Sequence, residues 1–375
     1  TVPSVSIIPV NISLKISYFC SSKNKHITRF TMDKTDKIIV GISIGDLNGI
    51  GVEVILKTFE DKRMLDFCTP VLFGATKPIS YHKKALNLET PVHGIASIAQ
   101  VNHNKINVLT VWKEEVKIAL GTATKEAGNF AFKSLEAAVQ HLKENKIDVL
   151  VTSPINKENI QSEAFKAPGH TEYLEEKLAG KSLMILMTNE LKIGLITGHI
   201  PIAKVAETLT PELIKSKVET MHSSLQQDFG IYKPKIAVLS LNPHCGDNGI
   251  IGDEDDLVLK PTLKEIADSG KLVFGPYAAD GFFGSENYKN FDGVLATYHD
   301  QGLAPFKALS FGKGVNFTAG LSQIRTSPDH GTGYDIAGKN KANPSSFKEA
   351  LFTAIQVYKS RKEYKELTDN PLKLK

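Results

Sequence analysis

Cysteine is scarce in this chain. Its 375 residues include three, Cys20, Cys68 and Cys245, with no C-x-x-C spacing. That excludes a disulfide scaffold and a zinc ribbon, and it fits a reducing, cytoplasmic setting. No apolar run reaches the roughly 18 residues that a spanning helix needs, so no membrane segment is expected. Charge of one sign is also lacking. Lys and Arg number 45 against 41 Asp and Glu, for a net charge of +4. No basic run with interleaved aromatics occurs, so no nucleic-acid partner is expected. The phosphate loop G-x-x-x-x-G-K-[ST] is missing, and so are G-x-G-x-x-G and H-E-x-x-H. These absences argue against a P-loop ATPase or kinase, a Rossmann fingerprint and a zincin. Low-complexity linkers and internal repeats are absent too.

What is present is alternation. KIIVGIS (37–43), TPVLFG (69–74), KINVLTVW (105–112) and IDVLVTSP (147–154) read as strands. GVEVILKTFE (51–60) and residues 345–360 read as helices, residues 124–145 carry the three- and four-residue apolar spacing of an amphipathic helix, and residues 211–230 read as a helix with a Gly stop. SLMILMTNE and LKIGLITGH are separated by little and read as an antiparallel pair. KIAVLSLNPH and FDGVLATYHD are apolar runs that end in polar residues. Strands alternating with helices predict an α/β fold with mostly parallel sheets. The length predicts two domains, and the lack of a linker predicts that they share the chain discontinuously with a cleft between them. Domain one is expected to be discontinuous, 32–155 plus 300–375, and domain two to be 156–299. Residues 1–31 lead into Met32 without the basic start or cleavage site of a signal peptide. They are expected to be a non-native or disordered extension, with a real extra strand or arm as the alternative.

Eleven histidines occur, and five close an apolar run or sit in a Gly/Pro turn: His170, His199, His244, His299 and His330. Three imidazoles with one open position make a common catalytic metal site. Here the spacings are long, so a metal site depends on folding or on two chains meeting. SPDHGTGYDIAGKNKANP (327–344) is rich in Gly and Asn and long for a connection. It is predicted to be a ligand-binding loop outside the core, in which His330, Asp335 and Asn343 recognise ribose and base. GDLNGIGVE (45–53) reads as a Gly-rich strand-to-helix turn with no assigned role.

In this order, GDLNGIGVE, TSPINK, PGHTEYLEE, LNPHCGDNG, YHDQGLAPFK, GKGVNFTAGL and IRTSPDHGTGYDIAGK occur between Ile38 and the last helix. Together they resemble the 4-hydroxythreonine-4-phosphate dehydrogenase family, oxidoreductases of pyridoxal phosphate biosynthesis. The resemblance implies the isocitrate/isopropylmalate dehydrogenase-like fold, two α/β/α domains with the active site in the cleft between them, a homodimer, and NAD (or NADP) bound without a Rossmann fingerprint. It implies cofactor contacts at His330, Gly331, Asp335 and Asn343, where Asp335 would favour NAD by repelling a 2′-phosphate. It places a divalent metal (Zn, Mg, Co or Mn) on His199, His244 and His299, shared between subunits. Substrate contacts fall on His170, Thr171, Lys307, Asn316 and Arg325. Asp280 and Lys307 are the candidate catalytic bases, and Asp300 and Gln301 are expected to orient His299. Leu47-Asn48 and Gly333-Tyr334 are departures from the family pattern.

The implied substrate is a small phosphorylated hydroxy-amino acid, 4-phosphooxy-L-threonine. Oxidation at C3 gives 2-amino-3-oxo-4-(phosphooxy)butanoate, whose carboxylate is β to the new ketone and leaves as CO₂ to yield 3-amino-2-oxopropyl phosphate. A paralogous dehydrogenase of threonate or erythronate 4-phosphate would share every motif. A metal-dependent hydrolase is the alternative from another reaction class.

Overall fold

The computed structural model describes residues 37–310 and 312–369. The expected extension at 1–31 lies outside the described residues. Twelve strands form one continuous sheet: β1 (Ile39–Ser43), β2 (Thr69–Gly74), β3 (Val92–Ile95), β4 (Ile106–Thr110), β5 (Val149–Thr152), β6 (Gly180–Met187), β7 (Lys192–Leu195), β8 (Ile236–Leu239), β9 (Val273–Tyr277), β10 (Gly293–Ala296), β11 (Val315–Leu321) and β12 (Ile324–Pro328). Their spatial order is β3-β4-β2-β1-β5-β12-β11-β6-β7-β10-β8-β9. No helix of the described residues is long and apolar enough to cross a membrane.

The sheet is mostly parallel, as expected, and its two parallel sets run in opposite directions. β3, β4, β2, β1, β5 and β12 run together. β7, β10, β8 and β9 also run together. Between the two sets, β12–β11, β11–β6 and β6–β7 are antiparallel. Three successive reversals leave the second set pointing opposite to the first. The β6–β7 pairing is the one read from the two adjacent apolar runs.

Two of the long helices have side-chain caps at their starts. Thr210 accepts from the Leu213 amide ahead of Pro211, opening the helix Pro211–Gln227. Thr124 caps the helix Lys125–Lys143 through the Ala127 amide. That helix buries Ala127, Phe130, Ala131, Ser134, Leu135, Ala138, Val139 and Leu142, the recurring face of an amphipathic helix. Its Gly128 is required, because a Cβ there would lie 2.1 Å from the Asn159 carbonyl oxygen. The stretch GISIG (41–45) has G-x-S-x-G spacing, but Ser43 is buried within β1 and forms no nucleophile elbow.

GDLNGIGVE, which had no role in the sequence reading, organises the 327–344 loop. Asp46 is fully buried and accepts from the Asn48 amide, Asn159 Nδ2 and the Tyr334 hydroxyl, each at 2.8 Å. The Ile50 amide donates to the Thr332 carbonyl at 2.9 Å. Further on, buried Glu53 accepts from Lys57 and from the Ala342 amide, and Lys57 donates to the Asn340 and Ala342 carbonyls. The departures at Leu47-Asn48 and Gly333-Tyr334 thus carry contacts. Leu47 is core, Asn48 binds the 119–124 segment through its side chain, and Tyr334 closes onto Asp46. The loop is also not wholly outside the core, since Ala337 and Ala342 are buried.

Replacing Asp46 by Ala strands three donors in the interior. At about 1–3 kcal/mol per unsatisfied group, Asp46→Ala is expected to lower stability by about 3 kcal/mol or more. Tyr334→Phe removes one donor together with its share of the acceptor and is expected to cost about 1 kcal/mol. Urea unfolding of the two variants checks both values, and equal losses would contradict the hub assignment.

Candidate active site

A cleft of about 270 Å³ lies over the region where the strands reverse. Its lining brings together nine of the residues singled out in the sequence: His170, Thr171, His199, His299, Lys307, Asn316, Arg325, His330 and Gly331. Met184 and Leu186, alternate residues of β6, line the same wall, so the cleft runs across one face of the sheet. His330 follows β12, whereas His199 and His299 follow β7 and β10, which point the other way. The two groups therefore enter the cleft from opposite sheet edges.

Arg325 dominates the electrostatics. It projects from β12, is 1% exposed, and donates only to hydroxyls. Its Nε and Nη2 reach Thr152 Oγ1 at 3.0 and 2.7 Å, and Nη1 reaches Thr318 Oγ1 at 3.1 Å. Among the described residues no carboxylate is within ion-pair distance of it. Burial pulls the guanidinium down to about 9, and the Glu172 charge opposes that shift. Arginine nevertheless stays charged through the neutral range.

His170 and Thr171 open the helix His170–Lys177 after Gly169. Burial, with the Arg325 and Lys157 cations, pushes His170 well below its ordinary value, so its imidazole is neutral. His170 Nε2 and Asn316 Oδ1 are buried without a hydrogen-bond partner among the described residues. Lys307 lies 3.8 Å from Asp329, whose carboxyl is raised by burial against the pull of Lys307 and His330.

The rings of His199 and His299 lie 5.3 Å apart between centroids. Each turns its Nδ1 to a carboxylate. His299 meets Asp300 at 2.6 Å and His199 meets Glu172 at 3.2 Å. That leaves both Nε2 atoms as the donors a metal could use. The donor set therefore fits two ligands to a divalent ion. His244 is exposed in a left-handed turn after β8 and does not line the cleft. Among the described residues no group of three potential ligands is close enough to hold a metal.

Other expected residues lie elsewhere. Asp280 is exposed in the first turn after β9 and does not line the cleft. Asp335 is exposed on the loop. Asn343 accepts from the Ser345 amide, at the start of the last helix. Gln301 does not orient His299; it accepts from the Thr297 amide and hydroxyl and donates to the Ser240 carbonyl, fastening β10 to β8. The sequence reading missed Glu172, Asp329, Thr152 and Thr318. Glu172 and Asp329 sit beside His170 and His330 in the quoted motifs, and an acid next to a turn histidine is the signal that could have found them.

The family model described as "Pyridoxal phosphate biosynthetic protein PdxA" matches residues 66–354. A 4-hydroxythreonine-4-phosphate dehydrogenase of Bacteroides thetaiotaomicron is 51% identical over 90% of this chain and 93% of its own length. A D-threonate 4-phosphate dehydrogenase of Cupriavidus necator is 34% identical over 84% of this chain and 95% of its own. The crystal structure of a 4-hydroxythreonine-4-phosphate dehydrogenase from Klebsiella pneumoniae superposes with a TM-score of 0.73 at 31% identity, covering 86% of this chain and 98% of that one.

The Arg325 environment makes a separable prediction. Arg325→Met removes a buried charge and leaves two hydroxyls short of a donor, so stability is expected to stay within about 2 kcal/mol. Affinity for inorganic phosphate is expected to fall by about 10- to 150-fold, the worth of charge-assisted hydrogen bonds to an anion. Thermal melts and phosphate calorimetry separate the two effects, and unchanged phosphate affinity would remove Arg325 from the anion site.

Proposed function

The chain belongs to the family of the pyridoxal phosphate biosynthetic protein PdxA, and from that membership we propose that it oxidises 4-phosphooxy-L-threonine with NAD to 2-amino-3-oxo-4-(phosphooxy)butanoate, which decarboxylates to 3-amino-2-oxopropyl phosphate. One observation carries the reading. A buried guanidinium without a carboxylate partner lines a cleft beside neutral His170, Thr171, Lys307 and Asn316. Such a charge is stabilised by an anionic ligand, and a guanidinium fork matches phosphate or carboxylate.

Arg325, with Thr152 and Thr318 holding its nitrogens, binds one anionic end of the substrate. Thr171 and the first-turn amides of its helix add donors for the same anion. Neutral His170 offers Nε2 and Asn316 offers Oδ1 to the substrate's remaining polar groups. Lys307 is the base of choice, because it lines the cleft and Asp280 does not. As the neutral amine, it accepts the C3 hydroxyl proton as hydride leaves for the nicotinamide. After CO₂ departs it returns one proton to C2, so the two steps balance.

A divalent ion (Zn, Mg, Co or Mn), when bound, supplies Lewis acidity at the substrate oxygens. His199 and His299 would hold it. His244 and Asp280 follow the adjacent strands β8 and β9 at the same sheet edge, and we assign them to the cleft of a second copy of the chain in a homodimer. The two lobes, 32–155 plus 300–375 and 156–299, are read as the domains flanking the cleft. His330, Gly331, Asp335 and Asn343 form the adenosine end of the cofactor site. The Asp335 carboxylate accepts from ribose hydroxyls and repels a 2′-phosphate, favouring NAD over NADP. Family membership leaves the metal-hydrolase alternative without support. The threonate 4-phosphate reading keeps it, through the Cupriavidus necator relative.

The test follows nicotinamide reduction by absorbance, with and without a chelator, on 4-phosphooxy-L-threonine and D-threonate 4-phosphate in parallel. Chelator-sensitive turnover with the amino acid, and little with the threonate, is expected. The reverse preference would move the chain to the second reading. Lys307→Met is expected to lower kcat by about 100-fold or more with a smaller change in KM, the size of a lost general base.

A further inference from the structure

Two carboxylates hold the two cleft histidines, and they differ in position. Asp300 is the immediate neighbour of His299 and is exposed, so its contact is local and open to water. Glu172 comes from another element. It sits in the first turn of the helix His170–Lys177, 27 residues from His199 in the chain, and is about one third exposed. Its Oε1 meets His199 Nδ1 at 3.2 Å, and its Oε2 is buried with no hydrogen-bond partner from the protein. The turn it stands on also supplies His170 and Thr171 to the cleft.

Among the described residues Glu172 is the hydrogen-bond partner of the His199 ring, whose other close contact is the His299 ring. His199 follows β7 by four residues, past Gly198, and neighbours the exposed Ile200 and Ile202. A side chain on such a segment is free to turn its ring unless something holds Nδ1. Glu172 is the group that does. An Nδ1–H donated to a carboxylate fixes the tautomer, leaves the Nε2 lone pair for a metal and raises the basicity of the ring.

We propose that Glu172 is a positioning residue that sets the tautomer and orientation of His199 for metal binding, and so couples the helix carrying His170 and Thr171 to the metal end of the cleft. The proposal rests on the reading of His199 and His299 as metal ligands. Glu172 touches neither metal nor substrate in this role. It acts through His199, while its charge also lies within the field of Arg325.

The test uses the full chain with Zn²⁺ alone, in competition with a chromophoric chelator, and needs no turnover. Wild type is compared with Glu172→Ala and with the isosteric Glu172→Gln. Loss of an outer partner of a metal-bound histidine typically weakens metal binding by about 10- to 100-fold, and that loss is expected for E172A. E172Q retains an acceptor for Nδ1–H and is expected to recover part of it. Nitrogen chemical shifts of His199 in metal-free wild type, taken where the ring is neutral, are expected to report the Nδ1–H tautomer. This second readout does not depend on whether a variant folds. Zn²⁺ affinity of folded E172A within about threefold of wild type, or an Nε2–H tautomer in wild type, overturns the proposal and leaves the metal reading standing. A wild type that binds no Zn²⁺ overturns both.

Discussion

A charged guanidinium in the middle of a sheet is the constraint around which this protein is arranged. Arg325 lies on β12, between β5 and β11, where a doubly covered strand would ordinarily carry Val or Ile. The two threonine hydroxyls satisfy part of its hydrogen-bonding fork but none of its charge. A chain that keeps such a group buried gives up stability at that point. The proposed anion in the cleft would supply the compensation. Strand direction reverses beside Arg325 because a hairpin, β11–β12, carries the residue there and returns. The binding site and the break in topology are therefore one feature, in keeping with the rule that open α/β sheets bind ligands where the strand order changes sense.

The reversal divides the chemistry. Residues after β12 and β5 enter from one sheet edge and bring the loop with His330 and Asp329. Residues after β7 and β10 enter from the other and bring the imidazole pair. Asp46 and the Glu53–Lys57 pair hold the loop from below, so its glycines do not leave it to fluctuate as a long open connection would. The loop is anchored at Thr332, Tyr334, Asn340 and Ala342. The intervening Asp335 is left exposed on a fixed base. In the proposed cofactor role, a residue placed this way would lose little entropy on binding.

The sequence was legible where burial sets the pattern. β2 was read at its observed bounds. The β6–β7 antiparallel pair followed from two apolar runs with a short polar break, the helix Lys125–Lys143 from its periodicity and the helix Pro211–Gln227 from its Gly stop. β11 and β12 were not delimited, because a strand that lines a site trades apolar residues for Asn316, Thr318, Arg325 and Ser327. β9 was missed because Phe274 faces outward and a Gly-Pro pair follows it. The cleft histidines were found by type and context, but their grouping was not. Periodicity reports which residues face a core and is silent on which way a strand runs. Nothing in the spacing of His199, His244 and His299 could reveal that two of them meet in one chain while the third does not.

That incomplete grouping has a physical origin in strand order. β7 and β10 are neighbours, so the segments after them converge, and His199 and His299 come within ring contact. His244 follows β8, on the far side of β10, from a turn whose residues 244–249 all have positive φ. Such a run is costly for non-glycine residues and is maintained only where surrounding contacts fix it. Here the buried Asp255 carboxylate accepts both the Leu241 and Asn242 amides, and Glu254 accepts from the Asn242 side chain. The fold thus holds His244 firmly in an exposed position turned away from its own cleft. Rigidity of that kind supports the proposal that His244 serves the cleft of a second copy of the chain, since a shared site tolerates little error in any of its parts.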